Sequence, residues 1–237
     1  MKILITSANT KLASHLASAL RSDHDVVLTS RTVEAADKNI THCNLGHDDS
    51  TNDLVRGMDV IIHSGTLSTN LSIKDHLDNA MRCTYNLLWA ASEERVPKLI
   101  YLSSLSVMDR YDESFVVTER WKPAPATDIA TLSYHLGEFV CREFARENKI
   151  SIISLRMGSI PWDEKEVSSS STLYLEDALQ SVLRAISSEF NEGYAGSTTN
   201  WKVFHIQSAV ANSRFITTTS EQALGYEPMI AKDSSTV

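Results

Sequence analysis

Glycine is scarce in this chain of 237 residues: there are eight, and none precedes Gly46. Any early turn that needs a positive φ, or a close approach of backbone to another group, must therefore manage without its usual residue. Proline is also rare, and with no Pro- or Gly-rich stretch the composition marks no linker between domains. Cys43, Cys83 and Cys141 are odd in number and widely spaced, which excludes a disulfide framework and suits buried thiols in a reducing compartment. Basic residues are in deficit, 22 Lys and Arg against 30 Asp and Glu for a net charge of -8, so nucleic acid and anionic membranes are excluded as main partners. The start lacks the pattern of a signal peptide and no apolar run approaches a membrane span, so a soluble cytoplasmic protein is expected.

What is present is an alternation. MKILIT is a short apolar run, and TKLASHLASAL repeats Leu12, Leu16 and Leu20 at helical spacing, so strand, tight turn and helix follow in order. DVVLTS from Asp25, MDVIIHSG from Met58, KLIYLSS from Lys98 and ISIISLRMGSI from Ile150 read as further strands. Helical patterns lie between them, around Ser50 to Arg56, from about Lys74 to Glu93 and from about Leu132 to Asn148. Strands separated by helices imply right-handed crossovers and a parallel sheet covered on both faces. The expected fold is therefore α/β, a Rossmann-like doubly wound parallel sheet in one domain. Beyond Trp162 the rhythm changes to a serine-rich loop over Ser168 to Ser171, an amphipathic helix, the strand WKVFHIQS and a short helix, so residues from about 162 to 237 are expected to form a small C-terminal lobe. Trp89, Trp121, Trp162 and Trp201 read as core or rim aromatics.

Taken in order, MKILITSANTKLASHLASAL, RGMDVIIHSGTLS, YNLLWAASEERVPKLIYLSSLSV, GEFVCREFARENKISIISLRMGSI and VFHIQSA…LGYEP resemble the extended short-chain dehydrogenase/reductase family of NAD-dependent epimerase/dehydratase type. LRMGS and the short C-terminal part are most similar to its small uronate-dehydrogenase-like members. That resemblance implies a cofactor turn TGxxGxxG, for which this chain offers Ser7, Thr10 and Ala13 in the glycine places. The helix N-terminus with Lys11 and Leu12 remains able to meet a phosphate, while Thr10 could instead simply cap the helix. The acidic residue of NAD users after the second strand is replaced by Ser30 and Arg31, an exchange that suits a 2′-phosphate, so NADP is as good a candidate as NAD. Asn44 stands in the place of an aspartate near the adenine, with Leu45 beside it, and Ser64 and Gly65 are compatible with a cofactor crevice. His42, Cys43, His47, Asp48 and Asp49 have no recurring metal-ligand spacing, so no metal is expected.

The resemblance also implies a Ser, and a Tyr and Lys arranged YxxxK. Ser104 matches the first. Anchored on GEFVCREFARE, Ala130 takes the tyrosine place and Tyr134 the lysine place, and no lysine occurs from Pro123 through Glu147. Shifting the register makes Tyr134 the acid/base but puts Glu138 one turn later, which would raise a phenol's pKa. Ser68, Arg156 and Ser159 are the candidate substrate contacts, with Arg156 open to a structural role as well, pairing within the sheet's edge, while the arginine that binds the sugar carboxylate in uronate dehydrogenases has its place taken by the serines near Ser168. Asn79 lies next to the family asparagine position, held here by Ala80, and Cys83 replaces a glycine.

The expectation is a catalytically degenerate member, a pseudoenzyme with weak or absent NAD or NADP binding, acting as a binding or partner subunit for a sugar or nucleotide ligand. The alternative is an active NAD(P)-dependent oxidoreductase or epimerase on a sugar or uronic acid, using Tyr134, His135 or a water ordered by Ser104. The two long helices also make a homodimer the expected assembly.

Overall fold

The computed structural model describes residues 1–32, 39–66, 71–147, 149–163, 170–189 and 200–229. Strand β1 (Lys2–Ile5) sets the plan: Ile3 and Ile5 point to one face of a sheet and Leu4 to the other, and all three are fully buried. A strand apolar on both sides must be covered on both sides. Helix α1 (Lys11–Leu20) packs Leu16, Ala17 and Leu20 on the Ile3/Ile5 face.

From there the chain alternates through β2 (Asp25–Ser30), β3 (Thr41–His42), α2 (Asp49–Val55), β4 (Val60–Ser64), α3 (Ile73–Asp78) running on into α4 (Thr84–Glu93), and β5 (Lys98–Ser104). It ends with α5 (Ile129–Arg146), β6 (Ser151–Met157), α6 (Leu175–Ser187), β7 (Trp201–Ile206) and α7 (Thr218–Leu224). The seven strands are parallel in the order β3-β2-β1-β4-β5-β6-β7. Buried residues of α1, α6 and α7 share one core with one face; those of α2, α4 and α5 share a second core with the other. The order reverses between β1 and β4, where the two halves diverge and a doubly wound sheet opens a crevice at the strand C-termini.

Three local features depart from the sequence expectation. β3 is only two exposed residues, paired with Thr29 and Ser30, in a segment expected to be a loop. The helix expected over Lys74 to Glu93 is interrupted by a π-turn, Asn79–Cys83. α5 starts earlier than expected because Asp128 caps it, accepting the Thr131 N–H at 2.9 Å. Of the C-terminal segment, α6 and β7 belong to the main layers. A separate small cluster of Leu105, Val107, Met108, Val117 and Phe215 stands at the C-terminal end of β5. The serine loop around Ser168 lies outside the described residues except at its end. Among the described residues no helix is long and apolar enough to cross a membrane.

The polar groups where β1 meets β4 are paired. Thr84 Oγ1 donates to the Asn79 carbonyl (3.1 Å), so it accepts from His63 Nε2 (2.8 Å), which leaves Nδ1 to accept from Thr6 Oγ1 (2.7 Å). His63 is therefore a neutral imidazole bridging β1, β4 and the π-turn, and burial lowers its pKa to about 3. His205 on β7 is equally buried and is also lowered to about 3. Both bind a proton in the unfolded chain near pH 6.5 but not in the fold, so stability is complete above that pH and falls as pH drops from about 6.5 toward 3. Urea unfolding at pH 5 should give a stability lower than at pH 7 by about 2 kcal/mol per histidine; equal stabilities at the two pH values would contradict this.

Candidate functional site

Thr6 follows the last residue of β1, and next to it Ser7 in the turn to α1 is buried and holds φ 51°. The turn thus keeps the left-handed conformation that suits glycine, with a serine in it, at a cost of about 1–2 kcal/mol. Thr10 N–H bonds to Ser7 O (3.0 Å) and Ala8 N–H to Thr29 O (3.1 Å), which hold the turn closed. The Ser7 hydroxyl reaches across the diverging strands toward Ser64 O (3.4 Å) and Thr66 O (3.3 Å). Thr10 is a helix cap, its Oγ1 accepting from Ala13 N–H at 3.4 Å. The amides of Lys11 and Leu12 keep no partner among the described residues, so the end of α1 can still meet an anion.

A crevice of about 870 Å³ opens above this turn. Of the candidate residues singled out in the sequence, Thr10, Lys11, Leu12, Ala13, Ser64, Ser104, Tyr134 and Ser159 line it. Ser104 Oγ accepts the Ser106 N–H at 3.1 Å, capping a short 3₁₀ turn. Ser64, Thr66 and Tyr134 form a chain of hydroxyls, 2.9 Å for the first pair and 3.4 Å for the second. Burial raises the Tyr134 pKa, the Thr66 bond opposes this only in part, and among the described residues no cationic side chain acts on it. A phenol in that setting stays protonated near neutral pH.

Other candidates lie elsewhere. Arg31, Asn44, Leu45 and Gly65 are not among the lining residues. Arg31 turns to α3, where its Nη2 bonds Asp78 at 2.8 Å, and Asp78 also takes Arg82 Nε at 2.6 Å. Asn44 is exposed while Leu45 is buried with φ 48°. Gly65 is buried over Tyr101, and a Cβ there would overlap the Tyr101 hydroxyl, so packing alone explains this glycine. Arg156, expected on a substrate, is 4% exposed and gives Nε and Nη2 to Glu138 at 2.9 and 2.8 Å. Burial pushes the Glu138 carboxyl up, but Arg156 and Ser154 outweigh it and hold it below the usual carboxylate range. His135, the alternative acid/base, opens onto a different cavity on the far side of α5. Ala130 is exposed at the start of α5. Ser68 lies outside the described residues. Among the described residues no cluster of three metal-ligating side chains occurs.

Sequence reasoning missed three participants. Thr66 joins Ser64 to Tyr134, Asp78 takes up Arg31, and Trp162 lines the crevice with its ring 5.6 Å from the Lys11 ammonium and 5.5 Å from the His15 ring. Each is a pairing between distant segments, and none carries a local spacing signal.

The chain belongs to the NAD dependent epimerase/dehydratase family, whose model matches residues 3–161. It is 26% identical over 255 residues to the uncharacterized protein YtbQ of Bacillus subtilis, covering 97% of this chain and 94% of that one. A uronate dehydrogenase of Pseudomonas syringae pv. tomato is 24% identical over 191 residues, with 78% and 69% covered. Among solved structures, glucuronic acid dehydrogenase from Chromohalobacter salexigens superposes with a TM-score of 0.79 at 23% identity, over 98% of this chain and 85% of that one. Uronate dehydrogenase from Agrobacterium tumefaciens gives 0.79 at 19% identity, over 97% and 84%, and a mutant of it was solved complexed with NAD.

The fit of such a dinucleotide to these residues is uneven. The α1 amides suit a phosphate, but Arg31 is held by Asp78, and among the described residues no lysine acts on Tyr134. If Arg156 is structural, Arg156→Met, which leaves Glu138 as a lone buried charge, should lower stability by about 3–5 kcal/mol in urea unfolding. A stability within 1 kcal/mol of the parent, about the scale of an exposed ion pair, would return Arg156 to the list of ligand contacts.

Proposed function

We propose that this protein is a catalytically degenerate member of its family, which keeps the hydroxyl-lined crevice as a binding site for a sugar-like or sugar-acid ligand and does not transfer hydride at an ordinary rate. The observation that carries this reading is the state of Tyr134. Among the described residues its hydroxyl is bonded by Thr66 alone, burial raises its pKa, and neither lysine nor arginine assists it. Loss of a positioned proton-transfer group alone removes about 10²- to 10⁴-fold in rate. The hydroxyls of Thr10, Ser64, Thr66, Ser104, Tyr134 and Ser159 suit a polyhydroxylated ligand, each able to donate and to accept.

A second reading has one observation in its favour. The Ser64–Thr66–Tyr134 hydroxyl chain could pass a proton from Tyr134, which would make the protein an NAD(P)-dependent oxidoreductase or epimerase on a uronic acid or nucleotide sugar with a rearranged site. In that case Arg31 would have to leave Asp78 to meet a 2′-phosphate, or NAD would be used.

Calorimetric titration with NAD, NADH, NADP and NADPH, followed by nicotinamide absorbance with glucuronate, galacturonate and UDP-glucose, decides between the two. Dissociation constants weaker than about 1 mM and no turnover are expected. Low-micromolar binding with turnover that disappears in Tyr134→Phe would establish the second reading.

A further inference from the structure

Helix α5 separates two cavities. Tyr134 faces the crevice, while His135, Glu138 and Arg142, spaced as one helical face, line a cavity of about 220 Å³ that shares no lining residue with it. By liquid volume this holds roughly seven waters, or one substituted six-membered ring. Its floor is the Arg156–Glu138 pair, which is neutral as a unit. The segment before α5 supplies Arg120, Trp121 and Lys122, and β7 supplies Trp201.

The remaining charge is positive. Neither Arg120 nor Lys122 has a carboxylate partner among the described residues. Arg142 pairs with Glu143 at 2.9 Å. The one further acid on the wall, Glu119, turns its Oε1 to the backbone N–H of His205 at 3.2 Å, and burial raises its pKa. Burial lowers the His135 pKa, and its Nδ1 is buried without a hydrogen-bond partner. On a protein of net charge -8 this is a local reversal of sign. Trp121 is held edge-on against Tyr111, with ring centroids 4.8 Å apart at 84°, and Trp201 packs on the second core, so the aromatic walls are fixed in advance of any ligand.

We propose that this cavity binds a small planar anion, an aromatic or heteroaromatic carboxylate, with the ring between Trp121 and Trp201 and the carboxylate toward Arg120 and Lys122. Aromatic walls contribute offset stacking, and the two cations contribute charge-assisted contacts.

Titration calorimetry on the full chain with benzoate, benzamide and cyclohexanecarboxylate tests it. Benzoate should bind with a dissociation constant of about 1 mM or tighter, and the neutral amide and the non-planar acid about tenfold more weakly. The double variant Arg120→Ala/Lys122→Ala should lose about tenfold or more in benzoate affinity, with its unfolding midpoint unchanged because both side chains are exposed, while Lys11→Ala in the crevice should bind benzoate as the parent does. Undetectable benzoate binding, equal binding of benzamide or of cyclohexanecarboxylate, or a loss in Lys11→Ala instead of the double variant would overturn the proposal.

Discussion

The bond between Thr6 Oγ1 and His63 Nδ1, 2.7 Å long, joins the two central strands just before they diverge. At that point β1 and β4 leave each other because their connections run to opposite faces and opposite edges of the sheet. Beyond it their main chains no longer pair, and side chains must span the gap. His63 holds one side through Thr6 and the other through Thr84, whose hydroxyl is brought into reach by the π-turn of the long helix. Asn79 of the same turn donates to Gly65 O at 3.0 Å, fixing the loop that forms the crevice wall. Such a buried network is favourable only when every member is satisfied, and here each group has its partner.

The turn that follows illustrates how a backbone outlives its usual sequence. Ser7 adopts the positive φ that glycine would take freely, and the ladder around it, with Ala8 on Thr29 and Thr10 on Ser7, over-determines the conformation. The side chain that results cannot be neutral in effect, since its hydroxyl occupies the gap between the strand ends. Arg31 and Arg82 converge on Asp78, so one carboxylate offsets part of their charge and holds Arg31 against α3.

Layering was legible in the sequence because it rests on apolar runs: KILI, VIIHS, KLIYLSS and SIISLRM are buried along their length and appear as strands. β3 was not legible, since two exposed residues leave no pattern. Nor was the π-turn, because one inserted residue hardly disturbs the apolar spacing of Leu87, Leu88 and Ala91 beyond it. Among site residues, the positions at the ends of β1, β5 and β6 could be placed, since the strand determines where its C-terminus opens. Thr10, Ser104 and Ser159 are of this kind. What could not be placed were pairings between segments far apart, such as Arg31 with Asp78 or Trp162 over Lys11, which decide whether a side chain is free for a ligand. For Arg156 the sequence left a ligand contact and a structural pairing both open, because its partner Glu138 lies on a different element.

The central claim is that this chain's own side chains have taken over the nucleotide end of the crevice while the layered scaffold persists. A crystal structure grown with excess NADPH tests it most directly. The account predicts Arg31 bound to Asp78, Ser7 still reaching toward Ser64 and Thr66, and no ordered dinucleotide over the turn. An ordered pyrophosphate on the Lys11 and Leu12 amides, with Arg31 swung from Asp78 onto the ribose phosphate, would contradict it.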